Sequence, residues 1–186
     1  HYFDPQTGDF AENAQGANAF MVDLGLGDAR TLEHIAQRYA ALGEYDTGIF
    51  GTDIVTRVLF ERGHKALAAK LLTSCGASSY GHMRLTGATT LYEYWHGGRS
   101  YSHPMFGAPV RYLFQYLLGI RQAEGSCAWR EIVFAPYLPE GVNELSGSLE
   151  TPQGVVRTRL WRENGEVRAE IFAPEGMRVR REGSSC

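Results

Sequence analysis

No run of apolar residues in this chain approaches the roughly 20 needed to cross a bilayer as a helix, so a membrane-spanning role is not expected. Charge of one sign is also missing. Eighteen Lys and Arg stand against 21 Asp and Glu, for a formal net charge of −3. The cations are scattered rather than clustered, which leaves out the basic footprint of a nucleic-acid partner. Cysteine is scarce: Cys75, Cys127 and Cys186 are odd in number and far apart. They form neither a disulfide framework nor a zinc pattern, and the redox compartment stays open. The 22 glycines are punctuation, with no phosphate-cradling loop among them. The chain starts at His1 without an initiator methionine or a signal-peptide pattern and runs straight into Tyr2 to Gly8. That is how an interior segment of a longer protein begins, and a fragment is expected.

What is present is an ordinary apolar fraction of 44%, enough to bury a core. Asp4-Pro5-Gln6-Thr7-Gly8 is turn chemistry. Helical spacing then runs from about Glu12 to Leu24, with Ala14, Ala17, Phe20, Met21 and Leu24 on one face. Asp28 is placed to cap a second helix through Leu42, which Gly43 stops. A glycine-rich loop over 46–52 leads to a third helix capped by Thr52 or Asp53, and His64 to Thr73 makes a fourth. Short connections between them predict stacked antiparallel αα-hairpins. Residues 76–90 read as an irregular polar loop, and Pro104 to Ile120 as one strongly apolar helix. From about Gln122 the period changes to strands, with hairpin turns at Thr151 to Gly154 and Asn164-Gly165 and a last short strand at Met177 to Arg180. Ser184 to Cys186 are expected to fray. The expected fold class is α+β multidomain, with helical hairpins over 1–122 followed by a small antiparallel β-sandwich over 123–186.

The stretch with chemistry in it is Gly87-Ala88-Thr89-Thr90-Leu91-Tyr92-Glu93-Tyr94-Trp95. A lone carboxylate stands among aromatic rings, just after small and hydroxylated residues. Aromatic faces stack on the apolar side of a sugar ring, and a carboxylate among them can take a proton from water. Eight residues after Trp95 stands His103, and Ser102-His103-Pro104-Met105-Phe106-Gly107 can return that histidine to the same place. A second reading stays open at this point: Tyr92, Tyr94 and Trp95 as core aromatics, with Glu93 capping a nearby helix. A metal reading from His82, His96 and His103 around Glu93 matches no zinc spacing. No cofactor is expected. Cys75 and Cys127 have no paired histidine in sequence context, and His34 and His64 read as surface residues on helices.

Taken together, these features resemble the C-terminal part of the bacterial α-L-rhamnosidases of glycoside hydrolase family 78. The family pattern Gly-Ala-Thr-Thr-x-Trp-Glu-x-Trp is matched by Gly87 to Trp95, and Ser-x-Asn-His-x-x-Phe-Gly by Ser100 to Gly107. Weaker echoes are Gln15 to Ala19 and Thr47 to Thr52. The resemblance implies a partial (α/α)6 barrel of helical hairpins ahead of the β-sandwich, and an inverting glycosidase. It implies Glu93 as general base, His103 as a ligand of rhamnose hydroxyls, and Trp95 and Tyr92 as residues that line or buttress the sugar pocket. The implied partners are a rhamnose-containing carbohydrate and the missing N-terminal half of the chain, in the bacterial cytoplasm or in the periplasm or outside the cell.

This sequence departs from the pattern at three positions, with Tyr92 for the first tryptophan, Ser102 for asparagine and Pro104 for tyrosine. The connection His96 to Arg99 is also shorter than the family's. The family's general acid belongs to the first half of the barrel, and Glu12, Glu44, Asp46 and Asp53 stand at scaffold positions that do not replace it. The isolated chain is therefore expected to be inactive. Two other readings remain: a non-catalytic carbohydrate-binding or packing module, and a divergent branch acting on another sugar linkage.

Overall fold

The computed structural model describes residues 2–182, so the expected fraying of Ser184 to Cys186 lies outside the described residues. The chain divides into two compact units, His1–Pro109 and Val110–Cys186.

The first unit begins with a tight hairpin, β1 (Phe3–Asp4) paired antiparallel with β2 (Asp9–Phe10) around the expected turn. Helices α1 (Gln15–Asp23), α2 (Ala29–Leu42), α3 (Ile49–Glu61), α4 (Lys65–Thr73) and α5 (Tyr80–Leu85) follow. Helix α1 packs on α2 and α3, and α4 packs on α2, α3 and α5. Local signals account for α2 at both ends. The Asp28 carboxylate accepts the backbone N–H groups of Arg30 and Thr31, and the Thr31 hydroxyl faces the Asp28 N–H to complete a capping box. Gly43 ends the helix in the left-handed region at φ 70°. Ile35, Ala36 and Tyr39 form its buried face together with Thr31, whose hydroxyl donates to the Gly8 carbonyl at 2.6 Å and ties the hairpin to the helix.

Three expectations are corrected. Helix α3 starts at Ile49 rather than after Thr52, with Gly48 at its N-cap. The Thr52 hydroxyl donates back to the Thr47 carbonyl, so it braces the first turn from inside rather than capping it from outside. The polar stretch 76–90 contains α5, because the Ser79 hydroxyl accepts the His82 N–H and caps a helix there. The single helix expected over 104–120 is broken into a 3-10 turn (Pro104–Gly107), α6 (Val110–Tyr112), a π-helical turn (Leu113–Leu117) and strand β3 (Ile120–Gln122). Pro109 has no N–H to continue the first turn, and Gly119 at φ +74° turns the chain out of helix into strand.

The second unit holds two three-stranded sheets. One runs β5 (Glu144–Thr151), β6 (Gly154–Glu163), β7 (Glu166–Phe172), all antiparallel, with Asn164 and Gly165 both at positive φ in the tight turn between β6 and β7. The other runs β3, β4 (Glu131–Phe134), β8 (Arg178–Arg181), with β3 antiparallel and β8 parallel to β4. Alternate residues of β6 point inward, and Val156 and Leu160 meet Ile120, Ile132, Leu118 and Leu138 in a shared core between the sheets. A fully buried aliphatic side chain of this kind contributes about 1.5–3 kcal/mol.

Candidate functional site

Glu93 sits in an irregular loop after α5, and a second strand of loop is laid beside it. The His103 N–H donates to the Leu91 carbonyl at 2.7 Å and the Glu93 N–H to the Ser100 carbonyl at 2.9 Å, while the Thr90 hydroxyl donates to the Tyr101 carbonyl. Segments 90–93 and 100–103 are thereby clamped together, which brings the backbone of His103 alongside the residues just before Glu93. Gly97 and Gly98, both at positive φ, let the intervening chain reverse in few residues. The clamp is short because its connection is short.

The Glu93 side chain is only 22% exposed. One carboxylate oxygen accepts the Ser100 N–H at 3.3 Å, and the other lies 4.0 Å from the Arg99 guanidinium. Arg99, at φ 53°, reaches this position from a left-handed turn and also stands over the Tyr94 ring, 5.9 Å from its centroid. The Glu93 carboxylate meets Ser100 and Arg99 of its own loop, where the alternative reading expected it to cap a helix.

Trp95 is buried. Its ring stacks on Tyr45 at 5.6 Å with 4° between planes, meets Tyr80 edge-on at 5.1 Å and lies 4.3 Å from Phe106. Its indole N–H donates to the Thr47 carbonyl at 2.8 Å. Burial holds the hydroxyls of Tyr45 and Tyr80 neutral far above the usual phenol range. Trp95 is thus a rigid post on which the Glu93 loop stands, with its faces occupied by protein. Tyr92 is half-buried and meets Tyr101 edge-on at 4.8 Å, so it braces the same clamp from the other side.

Two of the other acidic residues singled out from sequence hold other partners. Glu44 accepts the Ser78 N–H at 3.0 Å, and Asp46 accepts the Tyr39 hydroxyl at 2.6 Å with Arg38 at 3.6 Å. Among the described residues no three His, Cys, Asp or Glu side chains come together in a metal-holding group.

One pair was not legible in the sequence. Asp9, 7% exposed, faces the His34 Nδ1 at 2.8 Å and accepts the Asn18 amide at 3.0 Å. Asn18, fully buried, also accepts the Phe10 N–H at 2.7 Å. Burial pushes the Asp9 carboxyl up, and the hydrogen bonds from His34, Thr7 and Asn18 outweigh it and hold it below the ordinary carboxylate value. His34, read as a surface residue, is a half-exposed partner of a buried carboxylate. A separation of 25 residues gave no local signal for it.

Comparison with known proteins assigns both units. Residues 1–117 match the model of the bacterial alpha-L-rhamnosidase 6 hairpin glycosidase domain, and residues 119–180 that of the bacterial alpha-L-rhamnosidase C-terminal domain. An alpha-L-rhamnosidase of Streptomyces avermitilis is 26% identical over 169 residues, covering 82% of this chain and 16% of that protein. One from Formosa agariphila is 27% identical over 139 residues, covering 69% of this chain and 15% of the relative. The chain therefore spans under a fifth of these relatives' length. The crystal structure of the Streptomyces avermitilis enzyme complexed with L-rhamnose superposes with a TM-score of 0.84 at 21% identity, over 96% of this chain and 19% of that one. The native Aspergillus terreus enzyme gives 0.86 at 19% identity, over 96% and 23%. The fold is that of a partial barrel of helical hairpins followed by a C-terminal sandwich, and the chain belongs to the bacterial α-L-rhamnosidase family of glycoside hydrolases.

Proposed function

We propose that this chain supplies the general base of an inverting glycosidase that removes terminal α-L-rhamnosyl residues from glycosides or polysaccharides, and that Glu93 is that base. The observation that carries the reading is the placement of Glu93. It stands in the Gly87 to Trp95 motif, within the region matching the six-hairpin domain, on a loop clamped to the His103 segment and propped on a buried tryptophan. Such a loop holds a carboxylate in one place, which is what a base needs in order to orient a water molecule.

In an inverting reaction Glu93 takes a proton from water as the water oxygen bonds the anomeric carbon. The bond to the leaving oxygen breaks on the opposite face, and a carboxylic acid protonates that oxygen. The two carboxyl groups stand about 6.5–9.5 Å apart to admit the water. His103 holds glycone hydroxyls, Tyr92 lines the pocket and Trp95 buttresses it. On this reading the acid comes from chain outside these residues; Glu44 and Asp46 hold Ser78, Tyr39 and Arg38 instead.

The test is Glu93→Gln in the intact gene product. The substitution is expected to lower kcat by at least about 10²–10⁴-fold, the usual worth of a positioned base, while rhamnose binding by calorimetry stays close to wild type. A variant that keeps most of its kcat removes Glu93 from the role. A silent wild type that still binds rhamnose favours the non-catalytic binding module.

A further inference from the structure

Strand β7 ends its sheet. One side of it pairs with β6, and among the described residues no strand pairs with the other. Which residues face that open side follows from the ladder. The Arg162 N–H donates to the Asn143 carbonyl at 2.9 Å, so even-numbered residues of β6 bond toward β5 and odd-numbered ones toward β7. The odd-numbered residues stand opposite Glu166, Arg168, Glu170 and Phe172. Val167, Ala169 and Ile171 therefore turn their N–H and C=O groups to the open edge, where they can template a further strand. The features that usually block such pairing are missing. The β6–β7 register runs without a bulge, and Glu166 to Phe172 contains neither proline nor lysine. Apolar surface lies open along the same edge: Ala169 and Ile171 pack on the core of this unit, while Val167, on the same side of the strand, is 48% exposed.

Charge selects the occupant. Consider a second copy of β7 laid antiparallel along this edge, with Ala169 facing Ala169. Val167 of each copy then faces Ile171 of the other, and these residues make the hydrogen-bonded pairs. Arg168 of each copy faces Glu170 of the other at the non-hydrogen-bonded positions, where side chains approach most closely. The neighbouring registers fail. Centring on Arg168 sets Arg168 against Arg168 and Glu166 against Glu170, and centring on Glu170 sets Glu170 against Glu170. Arg168 already holds Glu166 at 3.0 Å and Glu163 at 3.6 Å on its own chain, but exposed pairs of this kind contribute little and are readily exchanged. The opposite edge of the sheet, β5, has no such match, because its charged residues are Glu144 and Glu150. We propose that β7 is the seam of a symmetric dimer, in which the sheets of two copies join through antiparallel β7 strands into one six-stranded sheet. The proposal goes beyond the Glu93 reading and does not rest on it.

The test is sedimentation of the intact gene product as wild type, as Arg168→Glu, as Glu170→Arg, and as an equimolar mixture of these two variants. The wild type is expected to sediment as a dimer that dissociates on dilution. Each single substitution sets two like-charge pairs across the seam and should weaken the dimer Kd by at least about tenfold. In the mixture each heterodimer regains two opposite-charge pairs, and dimerisation close to that of wild type is expected. Both residues are exposed, so neither substitution empties the core, and recovery in the mixture requires both variants to be folded. A wild type that stays monomeric at every concentration overturns the proposal. So does a single variant that dimerises as tightly as wild type, which places the interface elsewhere. A mixture no tighter than either variant alone overturns it as well, because the Ala169-centred register then does not form.

Discussion

Trp95 carries more of the site's rigidity than any other side chain in the motif. Its indole touches Tyr45, Tyr80 and Phe106 and closes a hydrogen bond to Thr47. Trp95→Ala is expected to destabilise the helical unit by about 3–5 kcal/mol in urea unfolding. Trp95→Phe keeps an aromatic ring and removes one of the two donors to the Thr47 carbonyl, leaving the Thr52 hydroxyl, and about 0.5–1.5 kcal/mol is expected. Equal losses from the two variants would show that the ring contacts add little. At His103 the expected loss is in binding: His103→Ala in the intact enzyme should raise the dissociation constant for rhamnose by about 5–150-fold, from unpaired glycone hydroxyls worth about 1–3 kcal/mol, without unfolding the protein. Asp9 gives a pH dependence. Its folded value lies below the ordinary 3.8, so its contribution is fully present above that pH and is lost as pH falls through the lowered value. Asp9→Asn should flatten the acid limb of the stability curve below pH 3.8. An acid limb unchanged by the substitution would contradict the coupling to His34 and Asn18.

At the scale of elements, the close approach of Gly119 to the 135–136 backbone sets the entry to the sandwich. A methyl group there would lie 2.3 Å from the Pro136 nitrogen and 2.5 Å from the Ala135 carbonyl carbon, on a residue already at φ +74°. Gly119→Ala is expected to destabilise the β unit by about 2–4 kcal/mol, read from its thermal or urea transition. A neutral result would mean that the turn can rebuild itself.

What was legible in the sequence at this scale is what local chemistry decides. Asp28 and Gly43 delimit α2, and Asn164-Gly165 turns β6 into β7, because caps and tight turns are settled within a few residues. The run from Pro104 to Ile120 misled because an apolar stretch has no period of its own, and Pro109 and Gly119 inside it decide where it breaks. The parallel pairing of β8 with β4 joins strands far apart in sequence and leaves no turn to read. The site divides in the same way. The Gly87 to Trp95 motif is contiguous and readable. Trp95 reaches Thr47 across 48 residues and Asp9 reaches His34 across 25, and such contacts exist only once the helices have packed.

At the scale of the whole molecule, the decisive fact is proportion. The chain spans 16% of the Streptomyces avermitilis relative and 19% of that enzyme's crystal structure, while nearly all of it superposes. On the reading that the acid belongs to chain outside these residues, the 186 residues alone are expected to release no p-nitrophenol from p-nitrophenyl α-L-rhamnoside. Sustained turnover by the isolated chain would require a second carboxyl group that acts from within it. The most direct measurement is made on the intact gene product. Its hydrolysis of p-nitrophenyl α-L-rhamnoside is followed by proton NMR at the anomeric signal, beside the Glu93→Gln variant. The account predicts that β-L-rhamnose appears first and mutarotates afterwards, and that the variant produces neither anomer at a comparable rate. First appearance of the α anomer, or near-normal turnover by Glu93→Gln, would contradict it.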